Sequence, residues 1–170
     1  MKSFDEILAA AFDDADLSPG EVPRIELYMD QILTLVDEGL TGNKRFPEDK
    51  LLTKTMVNNY SKEHLIMPVK GKKYSREQVM QLLCILTLKQ QLALSDIKKL
   101  MTGVIRFEQA YAESLEWKER LKTRLTEVLR EEFSERLDGG AEHALTAALT
   151  LTAAATEMRR VCEGIVDSAE

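Results

Sequence analysis

The sequence predicts an all-α, mainly helical fold with one small two-stranded wing and long C-terminal helices. Two observations carry this expectation. Glycine and proline are sparse, at 8 and 4 among 170 residues, and most glycines fall where patterned segments end. Apolar residues recur at three- and four-residue steps along most of the chain, which is the period of a helix with one buried face. With 44% apolar and 31% charged residues the composition is that of a folded globular protein. The length allows one compact domain, or a small domain with a helical extension.

The elements follow in order. Ser3-Phe-Asp-Glu6 is a capping box, in which Ser3 accepts from a free backbone N–H and Glu6 reaches back to the Ser3 N–H. It opens a short helix ending near Asp14. The acidic stretch Asp14–Ser18 fails as a calcium loop, because Pro19 sits at the sharp-turn position and Ile25 at the bidentate one. Ile25, Tyr28, Met29, Ile32, Leu35 and Val36 mark a second helix from about Pro23 to Gly39, and residues 40–50 form a loop. Thr53 is the N-cap of a third helix whose buried side carries Met56, Val57 and Tyr60. In Met67–Tyr74 a Lys70-Gly71 tip lies between two short extended arms, the size of a hairpin wing.

Ser75-Arg-Glu-Gln78 is a second capping box. The helix it opens carries Val79, Leu82, Leu83, Ile85, Leu86 and Leu88, apolar almost all round, and belongs at the centre of a core. Ser95-Asp96 caps a short helix with Ile97, Leu100 and Met101. From Val104 to Leu137 runs a long amphipathic helix striped by Phe107, Tyr111, Leu115, Leu121, Leu125, Val128, Leu129 and Phe133. Its Glu116–Arg120 and Glu132–Arg136 pairs stand four apart with the acid leading, the favourable order. Gly139-Gly140 ends it, and an alanine- and threonine-rich helix follows from Ala141 to Val166. The expected organisation is a head over residues 1–102 and a helical hairpin or dimerisation region over 103–170.

Charge is unevenly spread. Residues 44–99 hold 12 Lys and Arg against 5 Asp and Glu, an excess of +7, while the rest holds 11 against 24, which together give the net charge of -6. A basic middle in an acidic chain points to a polyanion partner. No run reaches the roughly 20 apolar residues that span a bilayer, and the N-terminus carries acids where a secretory leader needs an apolar core. Cys84 and Cys162 both fall in helical apolar patterns and read as buried small hydrophobes rather than a disulfide framework. A cytoplasmic protein is expected. Neither histidine, His64 or His143, has a partner at metal-ligand spacing, and no nucleophile elbow, phosphate loop, dinucleotide fingerprint or zinc-protease motif occurs. No catalytic residue, metal or cofactor is expected, and the chain does not read as an enzyme.

Met56-Val-Asn-Asn-Tyr-Ser-Lys-Glu-His-Leu-Ile66 with Pro68, Lys72-Lys-Tyr-Ser-Arg-Glu-Gln-Val79 and Leu94-Ser-Asp-Ile-Lys-Lys-Leu100 resemble the DNA-binding head of the MerR family. The N-terminal two-thirds is also similar to a bacterial family, the domain of unknown function 1836. The MerR resemblance implies a winged helix-turn-helix head, with a recognition helix near 53–64 and a basic wing near 67–75. It places Tyr60 on the last aromatic of the family's recognition run, with Asn58 and Asn59 in place of its arginine and first tyrosine. Lys72 falls on the wing's arginine and Tyr74 on its tyrosine. The cysteines of metal-sensing members are missing at the start of the long helix, so no metal sensor is expected.

The implied function is a transcriptional regulator that binds double-stranded DNA, and the charge pattern supports it. Lys54, Lys62, Lys70, Lys72, Lys73 and Arg76 bracket the recognition helix and wing, where they can contact phosphates and release counterions. Asn58 and Asn59 can read adenine edges in a major groove, and Tyr60 and Tyr74 can reach a phosphate from the edge of the core. The rival reading is a helical protein-interaction module of the same fold without DNA binding. A homodimer is expected through the last two helices, motivated by the stripe from Phe107 to Phe133. The alternative is that these helices fold back as a hairpin on their own chain.

Overall fold

The computed structural model describes residues 2–134 and 140–169. Seven α-helices and one two-stranded sheet are present among them: α1 (Phe4–Ala11), β1 (Leu27–Tyr28), α2 (Met29–Gly39), α3 (Lys54–Lys62), β2 (Lys73–Tyr74), α4 (Arg76–Leu88), α5 (Leu94–Met101), α6 (Phe107–Phe133) and α7 (Ala141–Ser168). The fold is mainly α, as the helical periods require. Arg136, Leu137 and Gly139, which the sequence places at the end of the long helix, lie outside the described residues. Contacts gather the chain into two compact units, Asp14–Leu115 and the segment up to Asp13 with Glu116–Ser168.

Local signals set most helix starts. At α1 the Glu6 N–H donates to Ser3 Oγ at 3.2 Å while the Ser3 N–H donates to Glu6 Oε2 at 2.8 Å. Thr53 Oγ1 caps α3 by accepting from the Met56 N–H. Ser75 and Gln78 cap α4 reciprocally. The rejected calcium loop runs into Ser18 and Glu21, which cap one 3-10 turn over Pro19–Glu21.

α4 forms the centre of the Asp14–Leu115 unit. Val79, Met80, Leu82, Leu83 and Ile85 are fully buried, as are Ile32 and Val36 of α2, Val57 of α3 and Ile97 of α5. Close approach at Gly39 matters here, since a Cβ would lie 2.4 Å from the buried Leu17 side chain. In the other unit, Phe4 of α1 meets Phe133 of α6 at 5.6 Å between ring centroids, and Arg130 Nε donates to Asp5 Oδ1 at 3.0 Å.

Five expectations are corrected, the last being the burial of Cys162. The wing is not a hairpin within Met67–Tyr74: β2 pairs antiparallel with β1, Leu27 opposite Tyr74 and Tyr28 opposite Lys73. The second helix therefore starts at Met29 rather than near Pro23, because Leu27 and Tyr28 are taken by the sheet and Gln31 Oε1 accepts the Tyr28 N–H at 2.8 Å. Ile25 lies off the helix and is 69% exposed. α5 starts at Leu94 with Ala93 as its N-cap, so Ser95-Asp96 lie inside the helix. The α6 stripe is two stripes. Phe107 and Tyr111 are buried in the Asp14–Leu115 unit, and Leu125, Leu129 and Phe133 are half-buried in the other. Leu121 and Val128 instead join Trp117 on an exposed line. Of the two cysteines, Cys84 is largely buried and burial pushes its thiol up to about 11, whereas Cys162 is exposed on α7.

Candidate nucleic-acid interface

α3 presents a polar face made by its own spacing. Val57 and Tyr60 turn into the core, which leaves Lys54, Asn58, Asn59 and Lys62 exposed on the other side. The helix ends in a left-handed turn. His64 takes φ +56°, its N–H donates to the Ser61 carbonyl, and the Leu65 N–H donates to the Tyr60 carbonyl at 2.9 Å. This is the six-to-one and five-to-two pattern that closes a helix, usually with glycine at the left-handed position.

The following loop is held from beneath by two buried glutamines of α4. Gln81 Oε1 accepts the Met67 N–H at 2.9 Å, and Gln78 Nε2 donates to the Met67 and Pro68 carbonyls at 3.0 Å each. Gln78 also accepts the Ser75 N–H, so its amide is used at both ends. These bonds fix where the chain leaves the core and where Lys70-Gly71-Lys72 must turn. Gly71 takes φ +75° there, a conformation that suits glycine. All of these residues belong to the Asp14–Leu115 unit.

An open groove of ≈ 590 Å³ lies between α3, this loop and the β1–α2 junction. Its polar lining comes from Lys54, Ser61 and His64 of α3 and its closing turn, Lys72 of the loop, Tyr28 and Asp30 at the junction, and Tyr74 of β2. Met29, Ile66, Met67, Pro68 and Val69 supply an apolar wall. Lys73 sits over the Tyr28 ring with Nζ 5.0 Å from the centroid, a cation–π seat that keeps its charge at the rim. Lys54, Lys62, Lys70 and Lys72 make no ion pair among the described residues.

The ten residues singled out from the sequence thus separate. Lys54, Lys72 and Tyr74 line the groove, Lys73 adjoins it through Tyr28, and Asn58 lies on α3 between Lys54 and Ser61. Asn59, Lys62 and Lys70 are exposed nearby in sequence without lining it. Tyr60 and Tyr74 are buried, and that burial pushes both phenols above their ordinary range. Arg76 is committed inside the unit. Its Nε and Nη2 donate to the two Glu108 carboxylate oxygens at 3.0 and 2.9 Å, and its remaining donors reach the Val22 and Pro19 carbonyls. The pair holds Glu108 below the usual carboxylate range and Arg76 above its own. Lys44 and Lys50 of the basic stretch likewise face Asp37, Lys44 at 2.7 Å.

Tyr28, Met29, His64 and Gln81 were not foreseen as part of this site. Only His64 carried a signal, its place at the end of a helix where glycine is favoured; the others depend on strand pairing and packing across the unit.

A family model described as Domain of unknown function (DUF1836) matches residues 17–122, more than half of the chain. The chain belongs to this family. The DUF1836 segment nearly coincides with the compact unit Asp14–Leu115 and contains every groove residue. It leaves α1 and α7 outside. No curated protein and no solved structure matches the chain. No helix among the described residues is long and apolar enough to cross a membrane.

Proposed function

We infer that this DUF1836 protein is a DNA-binding transcriptional regulator of the MerR-like type rather than an enzyme, with α3 addressing the major groove of duplex DNA and the loop after it addressing phosphates. The observation that carries this reading is that Lys54 of α3 and Lys72 of the following loop line one open groove, with Asn58 exposed on the same helix as Lys54. A phosphate strand has two cations to bridge there, and amides on the adjoining helix can pair with adenine edges. Tyr28 and its stacked Lys73 add a planar, basic rim. Arg76 stands outside the proposed contact set, because its donors are already used by Glu108, Val22 and Pro19.

Binding of a labelled duplex, followed by fluorescence anisotropy, tests the reading. Lys54→Glu/Lys72→Glu is expected to weaken binding at least a hundredfold at low salt while leaving thermal unfolding unchanged. A folded wild-type protein that leaves duplex DNA unbound at low salt would overturn it. The apolar wall of Met29, Met67, Pro68 and Val69 favours a second reading, a groove for a peptide segment of another protein. A peptide held by that wall would bind with little salt dependence, whereas DNA binding is steeply salt-dependent.

A further inference from the structure

The outward face of α3 carries polar side chains that the fold leaves unused. Val57 and Tyr60 turn into the core. At about 100° per residue Thr55, Asn58 and Asn59 stand on the opposite side, and all three are exposed. Thr55 and Asn59 are one turn apart, and Asn58 leans toward the Lys54 flank.

Thr55 differs from the other eight threonines of the α-helices. Each of those, Thr34 and Thr87 among them, donates its hydroxyl to the carbonyl four residues back. Four residues before Thr55 is Leu51, which precedes the Thr53 N-cap and lies outside the helix. The Thr55 hydroxyl therefore has no partner among the described residues. Nor have the Asn58 and Asn59 amides, whereas Asn43, Gln78 and Gln81 use theirs on backbone groups.

These free groups match one kind of base pair. In the major groove adenine shows an N7 acceptor and an N6 donor, and thymine shows O4 and a C5-methyl. An asparagine amide pairs with both adenine groups at once, while threonine offers a methyl to the thymine methyl and a hydroxyl to O4. Guanine is matched by arginine or lysine, and cytosine by an acid. Residues Lys54–Tyr60, the first two turns of α3, hold no arginine and no acid, and their one lysine lines the groove. We propose that α3 reads A·T pairs, with Thr55 as a specificity-determining residue that recognises the thymine methyl beside adenines held by Asn58 and Asn59. This rests on the reading of α3 as the helix in the major groove. With a phosphate strand in the groove at Lys54 and Lys72, the outward face of α3 is the side that meets base edges.

Fluorescence anisotropy with three labelled duplexes tests the proposal: A·T pairs in mixed order, the same duplex with deoxyuridine for thymidine, and G·C pairs. The C5-methyl lies in the major groove, so the deoxyuridine exchange leaves phosphate and minor-groove contacts in place. The wild type is expected to bind the thymidine duplex about fourfold tighter than the deoxyuridine one, the worth of one buried methyl. It is expected to prefer A·T over G·C by about tenfold or more, since one asparagine–adenine pair discriminates about five- to 150-fold. Thr55→Ser keeps the hydroxyl and is expected to bind the thymidine and deoxyuridine duplexes alike, while Thr55→Val keeps the methyl and the difference. Asn58→Ala/Asn59→Ala is expected to lose most of the preference over G·C, with circular dichroism as the check on folding. Equal affinity of the wild type for all three duplexes would overturn the proposal and leave the DNA reading standing. So would a Thr55→Ser protein that still separates thymidine from deoxyuridine. Failure to bind any of the three would overturn the DNA reading and this inference together.

Discussion

His64 holds φ +56° in the turn that closes α3, where only glycine is free of a Cβ clash. Non-glycine residues persist in such positions when the surroundings over-determine them, often at binding sites, and His64 lines the groove. His64→Gly is therefore expected to raise stability by about 1 kcal/mol, read as a higher urea midpoint at unchanged slope; a lower midpoint would mean that the imidazole contributes more than the strain costs. Arg76 works in the opposite sense. Replacing it with methionine strands the Val22 and Pro19 carbonyls and is expected to cost about 1–3 kcal/mol with no direct loss of DNA contacts. Its partner adds a pH dependence with a definite sign. The folded-state pKa of Glu108 is depressed by Arg76, so its contribution is complete above the unfolded value of about 4.3. It is lost as pH falls through the lower folded value. Acid titration of stability should be shallower in Arg76→Met than in the wild type; identical profiles would show that the pair contributes nothing.

The loop that carries Lys70 and Lys72 owes its position to α4, since Gln81 and Gln78 hold Met67 and Pro68 by side-chain bonds. Gln81→Leu leaves the Met67 N–H without its partner, so a loss of about 1–3 kcal/mol is expected, with weaker DNA binding because Lys72 is no longer fixed against Lys54. A variant of unchanged stability would show that the loop holds itself. The same element shows what sequence reasoning could reach. The starts of α1, α3 and α4 were readable because a capping box or N-cap is written within four residues, and the core face of α4 because its apolar density is local. β1 was not readable. Two residues make no periodic pattern, and their partners Lys73 and Tyr74 lie far along the chain, so Leu27 and Tyr28 read as the continuation of a helix. The apolar residues of α6 suffered a related error, since one period fitted both its covered line and the exposed line of Trp117, Leu121 and Val128. Half of the candidate interface was visible for the same reason: lysines and amides on one helix and its loop are sequence neighbours. The role of Arg76 was not, because Glu108, Val22 and Pro19 meet it only in the fold.

Across the whole molecule the net charge of -6 opposes contact with a polyanion, so the proposed DNA binding rests on a local concentration of positive charge. Pairing within the chain reduces the basic excess of residues 44–99: Lys44 and Lys50 face Asp37, and Arg76 faces Glu108. Lys54, Lys62, Lys70 and Lys72 remain for phosphates, with Lys73 at the rim. Four neutralised phosphates set a slope of about -3.6 in log affinity against log salt, at about -0.9 for each contact. The salt dependence of binding to duplex DNA is thus the most direct measurement. A slope between about -3 and -4 per copy, reduced by about 2 in Lys54→Glu/Lys72→Glu, is the expected result. A flat dependence, or a slope that the variant leaves unchanged, would contradict a DNA interface in this groove.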